Sequence, residues 1–501
     1  MRADSETEVI RILTEVGYEN DKRVWRLYGD RENNFSTIGN QQNRPDAALV
    51  EKLINSVDAR LMHECLSRGI NPEAPVAPQS IRDAVAKFFE DGRKHGSVYD
   101  GQIKAWDNEM RREVAPGITL AATGAKPKDE GDLCLTIADQ GEGQTPRKFP
   151  ETFLSLEKSN KLRIPFVQGK FNMGGTGVLE FCGRHNFQLL LSRRSPRILN
   201  GNFNHPTDDE WGFTLVRRED PSGNRRSSSY TFLAPVGVDE KPQQREVLTF
   251  AADKMPIFPE LAEPYARDAE WGTLIKLYEY SLPGHRTHIL LGSGLLSRLE
   301  LLLPELALPI RLHECRLGYK GHKGSMDTTL TGLGVRLDEG GRAENLETDF
   351  PSSGPLTCAG EPMTATIYAF KKDKAKTYRR NEGIIFTVNG QTHGHLTTDF
   401  FNRNKVGLSY LFDSILVIVD CTAISGRGRE LLFMNSRDRL RGGELCKEVE
   451  QELEDLLKNH AGLRALRERR RREEIESRIP DSKPLEQILK SIFHRSATVH
   501  S

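Results

Sequence analysis

Leu49-Val50-Glu51-Lys52-Leu53-Ile54-Asn55-Ser56-Val57-Asp58-Ala59 decides how this chain is read. Offsets of four and seven residues place Glu51, Asn55 and Asp58 on one helical stripe, within an arc of about 60°. Two carboxylates and an amide on one stripe are expensive to bury. They make sense if the stripe faces a hydrated metal and a phosphate chain. Taken alone, the pattern also fits a solvated helix face. Two stretches downstream change the balance.

Leu135-Thr136-Ile137-Ala138-Asp139-Gln140-Gly141-Glu142-Gly143 is an apolar, β-prone run that ends in Asp, with glycines at alternate positions after it. Glycine permits positive φ and close backbone approach, which suits a strand end where a base slides in beside Asp139. A carboxylate there can accept a hydrogen bond from an exocyclic amine such as adenine N6. The plain alternative is a turn. The third stretch is Gly169-Lys170-Phe171-Asn172-Met173-Gly174-Gly175-Thr176-Gly177, expected to open into a helix over 178–182 and to offer free N–H groups to phosphates. Its spacing approaches a P-loop, but Gly175 stands where the lysine is required, and the P-loop reading fails.

In this order the motifs resemble the GHKL superfamily of ATPases, which includes gyrase, heat-shock chaperones, histidine kinases and MutL. Glu51, Asn55 and Asp58 match its N box, Asp139, Gly141 and Gly143 its first glycine box, and Gly174, Gly175 and Gly177 its second. Trp271-Gly272-Thr273 is similar to the strand whose threonine helps hold adenine. The resemblance implies an α+β fold class: a two-layer α/β sandwich, helices over a mixed sheet, with ATP between them. It implies ATP and Mg²⁺ as cofactors, with Asn55 as the metal ligand. Asp58, Asp139, Gly141, Gly143, Lys170, Gly174, Gly175, Thr176, Gly177 and Thr273 are the further nucleotide contacts it implies. Histidine kinases of the superfamily usually lack the first glutamate. Glu51 is present, so hydrolysis is favoured over phosphotransfer, with Glu51 polarising the attacking water.

A second region is similar to the middle domain of the heat-shock chaperones. Ile415–Cys421 ends a β-branched run in Asp420, and Ser436-Arg437-Asp438 follows before a helix. The resemblance implies that Arg437 reaches the terminal phosphate, with Lys405 as its rival. Between Gly284 and Phe370 the chaperone pattern has no counterpart, and the chain carries no acidic chaperone tail.

Organisation follows from the motifs. Residues 1–45 are expected as an N-terminal strap that exchanges between protomers, 46–283 as the ATP-binding domain, 284–442 as a transducer-like α/β domain and 443–501 as C-terminal helices. Within these, 144–168 is a lid candidate, and 193–244 reads as mobile loops around short strands. Residues 386–391 read as strand then turn, and 444–479 as one continuous helix. The 501 residues allow two or three cored domains. The 71 basic and 71 acidic residues cancel, so bulk charge argues neither for nor against nucleic acid. Seven scattered cysteines without a C-x-x-C pair fit a reducing compartment. The polar start and the charges inside 289–308 argue against a signal peptide or membrane span, so a cytoplasmic protein is expected. His285 with His288, and His393 with His395, read as surface histidines. The arginine run 464–472 reads as a solvated helix face laced with Glu pairs, ahead of a phosphate track. The function expected is an ATP-gated homodimeric clamp, acting on DNA in prokaryotic genome defence or repair. The alternative is a chaperone-like or signalling clamp that binds a protein client.

Overall fold

The computed structural model describes residues 1–91, 100–126, 132–156, 161–169, 174–223, 226–284, 287–291, 294–319, 326–339, 342–434 and 439–478. The chain divides into two units. One is Met1–Gly340 with Asn389–Thr392; the other is Gly341–Val388 with His393–Met434 and the chain from Arg439 onward.

The strands of the first unit are β1 (Trp25–Leu27), β2 (Ile118–Gly124), β3 (Leu133–Asp139), β4 (Gln188–Arg193), β5 (Trp211–Glu219), β6 (Ser229–Leu233), β7 (Leu248–Phe250), β8 (Met255–Glu260), β9 (Glu263–Ala269), β10 (Gly272–Tyr280), β11 (Ile310–Glu314) and β12 (Asp327–Leu330). Ten of them make one mixed sheet in the order β1-β6-β5-β4-β10-β3-β2-β11-β12, with β7 on β5. β3 lies antiparallel between β10 and β2, and β11 runs parallel to β2. This is the α+β class that the motifs implied.

Alternation along β3 shows how the layers are built. Leu133, Leu135 and Ile137 enter a cluster with Leu49, Leu53 and Val57 of the long helix Pro45–Ser67. Cys134 and Ala138 point the other way, into a cluster with Val9 and Leu13 of helix Glu6–Glu15 and with Ile257 and Phe258 of β8. A period of two on a strand buried on both faces produces this division. The long helix begins where proline belongs, with Pro45 in its first turn and Asp46 beside the positive end of the helix dipole.

Several local expectations are corrected. The stretch 193–244 holds strands as expected, but β5 is nine residues long and both β5 and β6 lie within the main sheet. Its charges misled: Arg217 lies 3.6 Å over the Trp25 ring and Arg218 5.5 Å over Phe35, so these arginines are packing groups. No α-helix follows the glycine loop; two short 3₁₀ turns, Gly174–Thr176 and Leu179–Phe181, take its place. The described parts of 144–168 are anchored, with Phe149, Leu154 and Phe166 fully buried.

A second sheet holds β13 (Ser352–Cys358), β14 (Glu361–Ala369), β15 (Glu382–Val388), β16 (Gln391–Thr397) and β17 (Ile415–Asp420), in the order β13-β14-β17-β15-β16, and belongs to the second unit apart from Gln391 and Thr392 of β16. Asn389 and Gly390, both at positive φ, make the turn that Asn-Gly spells between β15 and β16. β17 is buried as expected, packed with Val449, Leu453 and Leu457 of helix Glu444–Asn459. The long C-terminal helix is not continuous. His460 leaves helical geometry, its Nδ1 accepts from the Leu463 N–H at 3.2 Å, and its ring stacks on Phe350, so a second helix starts at Ala461. In that helix Arg469 and Arg470 pair with Glu347 at 2.5 and 2.7 Å. All seven cysteines are free and buried. Among the described residues no helix is long and apolar enough to cross a membrane.

Candidate functional site

A cavity of about 810 Å³ lies in the first unit, between the long helix and the ends of β3 and β10. The helix contributes Lys52, Asn55, Ser56, Ala59 and Met62 to its wall. Asp139, Gly143, Gly175, Thr176 and Thr273 also line it, so stretches far apart in the sequence meet on one cavity. Its size suits a mononucleotide-sized ligand, within the range of about 300–1,000 Å³ usual for small-molecule sites.

One end is defined by Asp139, which is nearly fully buried at the end of β3. Ser56 Oγ donates to its Oδ2 at 2.9 Å and the Gly141 N–H to its Oδ1 at 3.0 Å. Burial pushes this carboxyl up to about 6, against the opposing pull of those two bonds and of Arg60. Thr273 is paired in register with Asp139 on one side and with Ser192 on the other. The Thr273 and Ser192 hydroxyls are 2.9 Å apart, and the Gln144 N–H donates to Ser192 Oγ. The end is a set of acceptors and rotatable hydroxyls that can read the edge of a base.

The glycines after Asp139 have steric reasons. A Cβ on Gly141 would stand 2.5 Å from Ala59 Cβ, so glycine lets the turn lie against the long helix. Gly143 has φ +60, and a Cβ there would lie 1.9 Å from the Arg193 carbonyl oxygen. The Glu142 N–H donates to the Ala59 carbonyl and Trp271 Nε1 to the Gly141 carbonyl, which locks the turn.

The other end is the glycine turn. A Cβ on Gly175 would be 3.1 Å from Asn55 Nδ2, and one on Gly177 would press on Gln42. Gly174 belongs to the same turn, and Thr176 is buried. Asn55 is half-buried, and among the described residues its amide has no hydrogen-bond partner. An amide oxygen is a hard donor, and a single protein ligand with waters is a normal Mg²⁺ environment. Asn55 therefore fits a nucleotide-bound Mg²⁺.

The remaining members of the helical stripe, Asp58 and Glu51, are not among the residues that line the cavity. Asp58 accepts from the Gln168 and Gly169 N–H groups, both at 2.9 Å, and pairs with Lys161 at 3.4 Å. It ties the stem of the glycine loop to the helix. Glu51 is buried, and its Oε1 accepts from Gln391 Nε2 at 2.8 Å. Lys170 and Arg437 lie outside the described residues, as does Lys158. Lys52 and Ser56 were not singled out from sequence. Their one signal is the four-residue spacing that puts both on the same face.

No protein-family model matches the chain, and no curated protein matches it. Among solved structures it is similar to the B-subunit of the DNA gyrase from Myxococcus xanthus, with 13% identity over 72% of this chain and 89% of that one and a TM-score of 0.33. It is also similar to the 43K ATPase domain of Thermus thermophilus gyrase B in complex with an aminocoumarin, with 11% identity over 85% and 98% and a TM-score of 0.28. Likeness at this level bears on neither activity nor partner.

Proposed function

We propose that the chain binds and hydrolyses ATP as a GHKL-type ATPase. The observation that carries the reading is the meeting of four distant motifs on one cavity: Asn55, Asp139 with Gly143, Gly175 with Thr176, and Thr273. In this reading Asp139 accepts from adenine N6 and Thr273 supports it through its hydroxyl. The glycine turn gives backbone N–H groups to the phosphates. Asn55 is the residue that would hold Mg²⁺, which neutralises charge shared between phosphate oxygens. Glu51 takes a proton from water as it attacks the γ-phosphorus, and ADP leaves with the bridging oxygen. Positioning and electrostatics then supply most of the rate enhancement.

The biological unit of the proposal is a homodimer closed by ATP and opened by hydrolysis, with Arg437 as the phosphate sensor. DNA is the partner preferred, and a protein client is the competing outcome. The test is phosphate release from ATP, with and without duplex DNA, at two salt concentrations. Salt-sensitive stimulation by DNA supports the clamp on DNA. Turnover indifferent to DNA favours a protein client, and no phosphate release from ATP under any condition overturns the ATPase reading.

A further inference from the structure

Lys52 is a buried lysine on the long helix, one position from Glu51. Among the described residues its Nζ has no acidic partner and no hydrogen bond. The other buried cations of the first unit do better: Arg26, Arg111, Arg193, Lys276, Arg298 and Arg316 all donate to carboxylates or carbonyls. An ammonium taken out of water without a counter-charge is unfavourable by itself. Burial accordingly pushes Lys52 down to about 8. Cys182, near enough to act on it electrostatically, is itself pushed well up by burial and stays a neutral thiol.

The cavity explains where that charge is aimed. Lys52 lines it, and a Cβ on Gly175 would lie 3.6 Å from Lys52 Nζ. Arg147, Lys148, Lys161 and Arg194 line it too, but each is within ion-pair distance of an acid: Glu246, Glu151, Asp58 and Glu142 respectively. Lys52 is therefore the one lysine or arginine of the described wall left without a counter-charge. It stands one helical turn, about 6 Å along the axis, from Ser56, whose hydroxyl bonds Asp139. The cavity thus has a carboxylate at one end and an uncompensated ammonium beside the glycine turn at the other.

We propose that Lys52 is a phosphate ligand, pairing its ammonium with the oxygens of the nucleotide's terminal phosphates. The proposal rests on the nucleotide reading above and deepens it. Lys52 supplies from the helix the kind of positive charge that a P-loop places at the position Gly175 occupies here. The ligand class is a nucleoside di- or triphosphate, and a nucleoside alone makes no use of the residue.

Calorimetric titration of the full chain with ATP, ADP and adenosine tests this, comparing the parent with Lys52→Met and Asp139→Asn. Methionine keeps the length and removes the charge. In Lys52→Met, ATP and ADP affinity should fall about tenfold to a hundredfold, as for loss of a charged hydrogen bond, while adenosine binding stays unchanged. In Asp139→Asn, all three ligands should weaken together. Thermal unfolding without ligand guards against misfolding: Lys52→Met should melt no lower than the parent, because it removes an uncompensated charge. Equal ATP affinity in Lys52→Met and parent would overturn the assignment of Lys52 while leaving the nucleotide reading intact. A lower melting temperature with adenosine binding also lost would overturn it in favour of a purely structural lysine. A parent that binds none of the three ligands would overturn the nucleotide reading, and the proposal with it.

Discussion

Thr273 stands directly opposite Asp139 across an antiparallel pair, so the hydroxyl and the carboxylate that close one end of the cavity are set by strand register. Ser192 occupies the same row one strand further on. Residues paired in this way project from the same face of the sheet, here the face under the long helix. A slip of one residue in β10 would send Thr273 to the opposite face and break the row.

Asp139 should govern both stability and base choice. Its carboxyl is raised to about 6 from the ordinary carboxylate value. A raised acid contributes stability that is present below its unfolded value and is lost as pH rises through about 6, so at pH 7.5 the charge is a burden. Asp139→Asn without ligand should melt higher than the parent at pH 7.5, with the gap narrowing below pH 6 and closing near pH 4. A gap independent of pH would mean that the carboxylate is not its cause. With ligand the order reverses, because loss of a hydrogen bond to a charged group weakens ATP binding by roughly 1.5–3 kcal/mol. GTP, which presents an acceptor where adenine has its amine, should bind the parent poorly.

Glu51→Ala should leave ATP binding near the parent value while turnover falls ~10²–10⁴-fold, the usual contribution of a general base. Binding and single-turnover hydrolysis measured on the same sample check this. Turnover within a few-fold of the parent would make Glu51 a structural partner of Gln391 and nothing more.

Mass measurement of that same variant with Mg-ATP should show more dimer than the nucleotide-free sample. An arrested hydrolysis step holds the closed state, which is why the variant is the better probe. An oligomeric state blind to ATP would rule out the gate and leave the ATPase standing.

Gly143→Ala should lower stability more than Gly201→Ala does. Both glycines have positive φ, but a Cβ on Gly143 would strike the Arg193 carbonyl at 1.9 Å, whereas one on Gly201 meets nothing within 4 Å. Gly201→Ala therefore reports the backbone term alone, ~1–2 kcal/mol, and the excess at Gly143 reports the contact. Equal melting shifts for the two would refute the close approach.

Much of this was legible in the chain, for physical reasons that differ by element. A β-prone run closed by Asp139 and two glycines could be read as a strand and its turn because those residues restrict the backbone locally. Asn389-Gly390 and the run Ile415–Asp420 were readable on the same grounds. Helical spacing correctly relates Glu51, Asn55 and Asp58 to one another, but it carries no information on where the cavity lies around the helix. The wall takes the neighbouring line of Lys52, Ser56 and Ala59 and shares Asn55 with the stripe. β5 was hidden because Arg217 and Arg218 look like loop residues until aromatic rings are found beneath them. The break at His460 depends on Phe350 and Ser352, more than a hundred positions away, and no local reading could supply it.

β3 is a party wall. Leu133, Leu135 and Ile137 belong to one hydrophobic cluster and Cys134 and Ala138 to another, and the strand ends in Asp139. Packing errors on either side therefore converge on the same seven residues. A deep mutational scan selecting for ligand capture should score Val9 and Leu53, buried on opposite sides of this strand, as functional positions although neither lines the cavity. Double variants joining one lesion from each side should lose more than the sum of the singles, because each removes support the other still relied on.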